Sequence, residues 1–133
     1  MDLKDEIQKS LDAGDHIVLL LDGNSSMKGS DLSNVLQQLS LKESIISKHG
    51  NSGPATHKRN TTSMPIDGIW ISQGLNIESC GYFAYDEVVS SDHRCLWVDL
   101  SYISAFGHNM PPLSRRQPRH LHCKDPRLVN NYI

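Results

Sequence analysis

The longest uninterrupted apolar run in this 133-residue chain is Ile17 to Leu21. That is far short of the roughly 20 residues that cross a bilayer. Met1 is followed by Asp2, Lys4, Asp5 and Glu6 rather than by a basic stretch leading into an apolar one, so neither a membrane span nor a secretory signal is expected. Cysteine is also sparse: Cys80, Cys95 and Cys123 are odd in number, widely spaced and form no C-x-x-C pair. This excludes a disulfide scaffold and fits a reduced, intracellular chain. A strong excess of one charge is lacking too, with 13 Lys and Arg against 15 Asp and Glu, a formal charge of -2, and 38% hydrophobic residues. A collagenous, coiled-coil or highly charged disordered chain is excluded, and the length fits one ordinary domain.

The even balance conceals a local asymmetry. Ser114 to Arg127 (SRRQPRHLHCKDPR) holds Arg115, Arg116, Arg119, Lys124 and Arg127 with His120 and His122, against one acid, Asp125. Such a segment can neutralise phosphates, with an attraction that falls steeply as salt rises. With Pro111, Pro112, Pro118 and Pro126 nearby it reads first as a solvated tail or linker, so residues 107–133 are assigned to a tail and 1–106 to the folded part. His120, His122 and Cys123 are zinc-type donors, but no second cluster stands at finger-like spacing.

Leu3, Ile7 and Leu11 recur at helical spacing from Asp2 to Ala13, and Gly14 can take the left-handed conformation that ends a helix. His16 to Leu21 reads as a strand buried on both faces, ending abruptly in Asp22-Gly23-Asn24. Ser30 can cap a helix carrying Leu32, Val35, Leu36 and Leu39, and Ser40-Leu41-Lys42-Glu43 has capping-box spacing for a further turn or two of helix. Gly50 to Ser63 is rich in Gly, Asn, Ser, Thr and Pro with no apolar period, a loop or a set of short edge strands. Ile66 to Ser72, Leu75 to Cys80 and Cys95 to Leu100 read as strands. The order helix, strand, helix points to a layered α/β architecture.

Polar groups gather where these strands begin and end, the usual place for ligands in open α/β sheets. Asp22 and Asn24, two residues apart, can point to one side of an extended chain, although an ordinary Asp-Gly turn explains them as well. In Ser91-Asp92-His93 the neighbouring carboxylate and imidazole project in different directions, which suits two jobs: binding a cation and contacting a phosphate. Asp67, in Ile66-Asp67-Gly68-Ile69, lies in an apolar run. If buried it needs a fixed partner, a histidine being the natural one; otherwise it faces solvent beside a turn at Gly68.

The ordered series Asp-x-Asn after a strand, Ile-Asp-x-Ile, then Ser-Asp-His resembles the C-terminal motifs of the endonuclease/exonuclease/phosphatase superfamily, the DNase I-like fold. PATHKRNTTSMPIDGIWIS and GYFAYDEVVSSDHRCLWVDL are most similar to endonuclease domains of retrotransposon polyproteins, and RRQPRHLHCKDPRLVNNYI to the linker that follows such domains. The resemblance runs from about His16 to the end. It implies a partial DNase I-like α/β (α+β) sandwich with one mostly antiparallel sheet and flanking helices. It further implies a Mg²⁺- or Mn²⁺-dependent phosphodiesterase acting on nucleic acid, DNA ahead of RNA, and only through this likeness a nuclear location. Asp22 would orient or deprotonate the attacking water, and Asn24 would hold the scissile phosphate. His93 would contact the phosphate, oriented by Asp67, and Asp92 would bind the metal. Thr56, His57 and Arg59 stand where relatives place substrate contacts.

The chain also departs from that pattern. Family members are longer, and their N-terminal half carries a first sheet, an early Asn motif and the glutamate that is the main metal ligand. Glu43, Glu78 and Glu87 lie in segments that do not match that motif. The expectation is half a two-sheet sandwich, binding metal weakly, with one sheet face open to the missing half, a second copy or some other cover. A non-catalytic nucleic-acid-binding remnant using the basic tail is the alternative function.

Overall fold

The computed structural model describes residues 2–50, 53–58 and 64–112. Arg59 and the basic segment with His120, His122 and Cys123 lie outside the described residues. The architecture is mixed α+β with antiparallel sheets.

The first helix, α1 (Leu3–Asp12), starts where Asp2 Oδ1 accepts the Lys4 N–H, and it buries Ile7. Strand β1 (Val18–Asp22) follows, then α2 (Asp31–Gln38), capped by Ser30, whose Oγ accepts the Ser33 N–H at 3.2 Å. The helix expected from Ser40 does not form there. Ser40 takes a left-handed φ of 61°, which breaks the helical path, and Leu41–Glu43 becomes a short strand, β2. Leu41 and Glu43 turn inward at period two while Lys42 faces out. Helix α3 (Ser44–His49) begins one residue later, with the Glu43 carboxylate accepting the Ile46 N–H at 2.7 Å. The remaining elements are β3 (Asp67–Ser72), β4 (Ile77–Tyr82), β5 (Leu96–Leu100) and α4 (Tyr102–Phe106).

The strands form two sheets where one was expected. β3 lies between β1 and β2 in a three-stranded sheet, and β4 pairs with β5 in a separate hairpin. On one face of the first sheet Trp70 joins Met27, Leu36, Leu39, Leu41 and Ile7, with Leu19 and Leu21 packed against them. On the other, Ile69 and Ile71 meet Leu96, Val98 and Leu100 of the hairpin. Ile69 and Ile71 are 1% and 0% exposed. Burying each such side chain stabilises the fold by about 1.5–3 kcal/mol.

The hairpin therefore covers the face of β3 that was expected to stand open, but it does not reach β1. β1 is an edge strand buried on one face, not on both: Val18 and Leu20 remain 41% and 66% exposed because only the helix side of this strand is covered. No helix among the described residues is long and apolar enough to cross a membrane.

Candidate functional site

β1 and β3 run antiparallel in a register that sets Asp22 directly opposite Asp67. Residues two apart share a face, so Asp22 lies on the Val18/Leu20 side and Asp67 on the Ile69/Ile71 side, the same face of the sheet. Like charges placed opposite one another repel. Here an imidazole lies against them. The chain entering β5 turns at Ser91, whose Oγ accepts the His93 N–H at 3.1 Å, and this brings the His93 ring over the strand ends.

His93 Nδ1 lies 3.1 and 3.0 Å from the two Asp67 carboxylate oxygens. Asp67 is thus a largely buried carboxylate with the histidine partner its surroundings call for, its side chain 12% exposed. Its contact fixes the tautomer: Nδ1–H donates to Asp67, leaving Nε2 free. Nε2 stands 4.0 Å from Asp22 Oδ2, while Asp22 Oδ1 accepts the Asn24 N–H at 2.9 Å. One Asp22 oxygen is thereby tied into the turn, and the other faces the imidazole. The hydrogen bond to Asp67, reinforced by the negative charges of Asp67, Asp22 and Asp92, raises the His93 pKa above its ordinary value.

Asn24 is exposed and takes a positive φ of 46°, so the Asp-Gly-Asn segment is a turn and not an extended continuation of β1. Gly23 leaves room for its neighbours there: a Cβ would come within 2.6 Å of Met27 Cε and 2.8 Å of Leu32 Cδ2, so those side chains would have to shift.

A second array stands on the other side of His93. His57 and His93 face each other across an isolated antiparallel bridge, with ring centroids 4.6 Å apart. The bridge is closed by Lys58 N–H to Asp92 O and Arg94 N–H to Thr56 O, each 2.7 Å. His57 Nε2 lies 3.4 Å from Asp92 Oδ2. Asp92 is exposed and its pKa is lowered, first by its own backbone N–H and then by His57.

Thr56 sits behind the site and not on its surface. It is fully buried, and its Oγ1 accepts the N–H groups of both Ile66 and Asp67, at 3.0 and 3.1 Å. Its side chain positions the start of β3 and is not presented to a ligand. Asp22, Asp67, His93, Asp92 and His57 are thus brought together, with Asn24 at the adjoining turn.

Arg94 completes the setting, and the sequence motifs did not single it out. Its guanidinium lies 4.3 Å from the Tyr85 ring centroid and donates to Ala55 O and Phe83 O. Tyr85 O–H in turn donates to Ala55 O at 3.0 Å. Arg94, Asp22, Asp67, Leu20, Ile69 and Leu96 line a cleft of about 300 Å³ beside the histidine. The only signal in the sequence is that a cation directly follows Ser-Asp-His.

Among the described residues, two sets of three present donor atoms within 4.8 Å of one another: His57 with Asp92 and His93, and Asp22 with Asp67 and His93. Each includes an imidazole, and both Asp67 oxygens are already engaged by His93. Mg²⁺ demands an octahedral shell of oxygen ligands. These residues do not by themselves make a resident Mg²⁺ site. Compared with known proteins, the chain matches no family model, no curated protein and no solved structure.

Proposed function

We propose that this chain is part of a DNase I-like, metal-dependent phosphodiesterase acting on nucleic acid, and that it carries the acid–base and phosphate-contacting side of the reaction. The observation that carries this reading is the Asp67–His93–Asp22 array at the rim of an open cleft. Hydrolysis of a phosphodiester needs a group to take a proton from the attacking water and donors aimed at the charge that grows on the phosphoryl oxygens. The free Asp22 oxygen is the acceptor. His93, held by Asp67 and charged over a wider pH range than an ordinary histidine, is the donor through Nε2–H. Arg94 adds fixed positive charge in the same cleft, and Asn24, exposed at the turn that follows Asp22, is the neutral amide near it in the chain. The metal requirement falls to donors beyond this set, acting with Asp92.

A nicking assay on supercoiled plasmid with Mg²⁺ or Mn²⁺ tests the reading. Nicking by the parent that Asp22→Ala and His93→Ala each abolish, with the fold kept, supports the reading. Cleavage that survives both changes overturns the assignment. Absence of cleavage by the folded parent overturns catalysis by this chain and favours the non-catalytic nucleic-acid-binding alternative.

A further inference from the structure

We propose that His57, Asp92 and His93 form a three-ligand site for a zinc ion, with Asp67 as the group that orients His93 toward it. Donor atoms from the three residues lie within 4.8 Å of one another. The chemistry of the set is two imidazoles and one carboxylate, which suits zinc and related transition ions and not the all-oxygen preference of magnesium. One of the three separations already matches a tetrahedral site. Ligands about 2.0–2.1 Å from zinc at a tetrahedral angle stand roughly 3.3 Å apart, and His57 Nε2 lies 3.4 Å from Asp92 Oδ2.

The site is built before any ion arrives. The two segments that carry the ligands are clamped together by the 2.7 Å backbone hydrogen bonds on either side of the His57 and His93 pair. An antiparallel bridge places directly opposed side chains on one face, so both imidazoles point the same way. His93 gives Nδ1 to Asp67 and keeps Nε2 available, the carboxylate–histidine arrangement that orients metal-bound imidazoles. Asp92 and His57 are both solvent-accessible, so an ion can reach them and a water can complete the coordination. The proposal stands apart from phosphodiester cleavage, because a His93 Nε2 that holds zinc carries no proton to donate to a phosphate.

The test is zinc binding by the full chain after chelator treatment, measured by competition with a chromogenic chelator, with Co²⁺ absorption as a second readout. The expected result is one tightly held zinc per chain, no competition from equimolar Mg²⁺, and intense visible Co²⁺ bands of four-coordinate character. Asp67→Asn weakens zinc by roughly 10–100-fold, and His57→Ala and Asp92→Asn weaken it further. A His120→Ala, His122→Ala, Cys123→Ser variant leaves affinity unchanged. Circular dichroism in chelator identifies any variant that fails to fold; should His57→Ala fail, Asp92→Asn decides alone. No tight binding, binding that survives Asp92→Asn, or binding lost in the tail variant overturns the proposal.

Discussion

Replacing Thr56 by valine keeps the shape of the side chain and removes only its hydroxyl. The loss is then confined to two hydrogen bonds, those that the Ile66 and Asp67 N–H groups donate to Oγ1 at 3.0 and 3.1 Å. Thr56 is fully buried, so no water takes the place of Oγ1 without opening the structure. Each orphaned backbone donor costs about 1–3 kcal/mol. Both donors are only partly buried, which places the sum at the lower end, about 2–3 kcal/mol. With a urea slope of about 1–3 kcal/mol/M, the unfolding midpoint falls by about 0.7–3 M. Thr56→Ser separates this from a packing effect, because it keeps the acceptor and deletes one methyl, at a cost of about 1 kcal/mol. The expected order of stability is parent, then serine, then valine. The same change loosens the strand start that carries Asp67, so the His93 pKa moves back toward its ordinary value. A Thr56→Val midpoint within experimental error of the parent, or a serine variant as unstable as the valine one, refutes the role given to the hydroxyl.

Asp67→Asn removes the charge that raises the His93 pKa from its ordinary 6.5, and NMR titration of the His93 ring in chelator shows a lower midpoint. A histidine whose folded pKa is raised stabilises the protein fully below the unfolded value, and this contribution fades as pH climbs through the folded one. The stability gap between parent and Asp67→Asn is therefore widest between about pH 5 and 6.5 and narrows on the alkaline side; a gap that widens with pH contradicts the pairing. Glu43 is buried, and desolvation raises its pKa above 4.5 against the opposing hydrogen bonds from Ile46 and Ile69. The folded state then holds a proton that the unfolded state has lost, so stability falls as pH rises from 4.5 through the folded pKa. The difference between parent and Glu43→Gln shifts in the parent's favour as pH drops through that window, and urea unfolding at several pH values reads it. Gly68→Ala places a methyl 2.6 Å from Met27 Sδ and 3.1 Å from its Cγ. Overpacking of this kind costs about 1–3 kcal/mol, and a double-mutant cycle with Met27→Ala recovers part of it; strictly additive losses rule out the clash as the cause.

The elements legible in the sequence are those whose signals are local. Asp2 and Gly14 bracket α1, Ser30 caps α2, and the apolar runs mark β1, β3 and β5. What stayed hidden depends on partners distant in the chain. Leu41–Glu43 carries the spacing of a capping box, and Glu43 does cap a helix, but pairing with Ser72 to Trp70 draws the preceding residues into a sheet. Whether Ile17 to Leu21 is covered on one face or two depends on how far the β4–β5 hairpin reaches, which no period within β1 records. The site follows the same division. Asp22, Asp67 and His93 stand out as short polar interruptions at strand ends. The joining of residues 56–58 to 92–94 has no periodicity to announce it, and so the pairing of His57 with Asp92, the burial of Thr56 and the stacking of Arg94 on Tyr85 emerge only in three dimensions.

Register ties the fold to the chemistry. Because side chains alternate along a strand, sliding β3 by one residue would turn Asp67 toward the face where Trp70 packs with Met27 and Leu36, and would take the carboxylate away from His93. The register is held from both sides: Ile69 and Ile71 are buried against the hairpin and Trp70 against the helices, so neither set can exchange places with the other at an acceptable cost. Apolar burial several residues from the site thus forces two carboxylates into opposition at the ends of β1 and β3. Opposed carboxylates favour whatever positive group comes between or beside them. Here that group is His93, delivered by a turn that the packing of β5 fixes in place. Its pKa is raised by the hydrogen bond to Asp67 and by the carboxylate charges that the strand pairing gathers, which makes the core of this protein the source of the electrostatics at its rim.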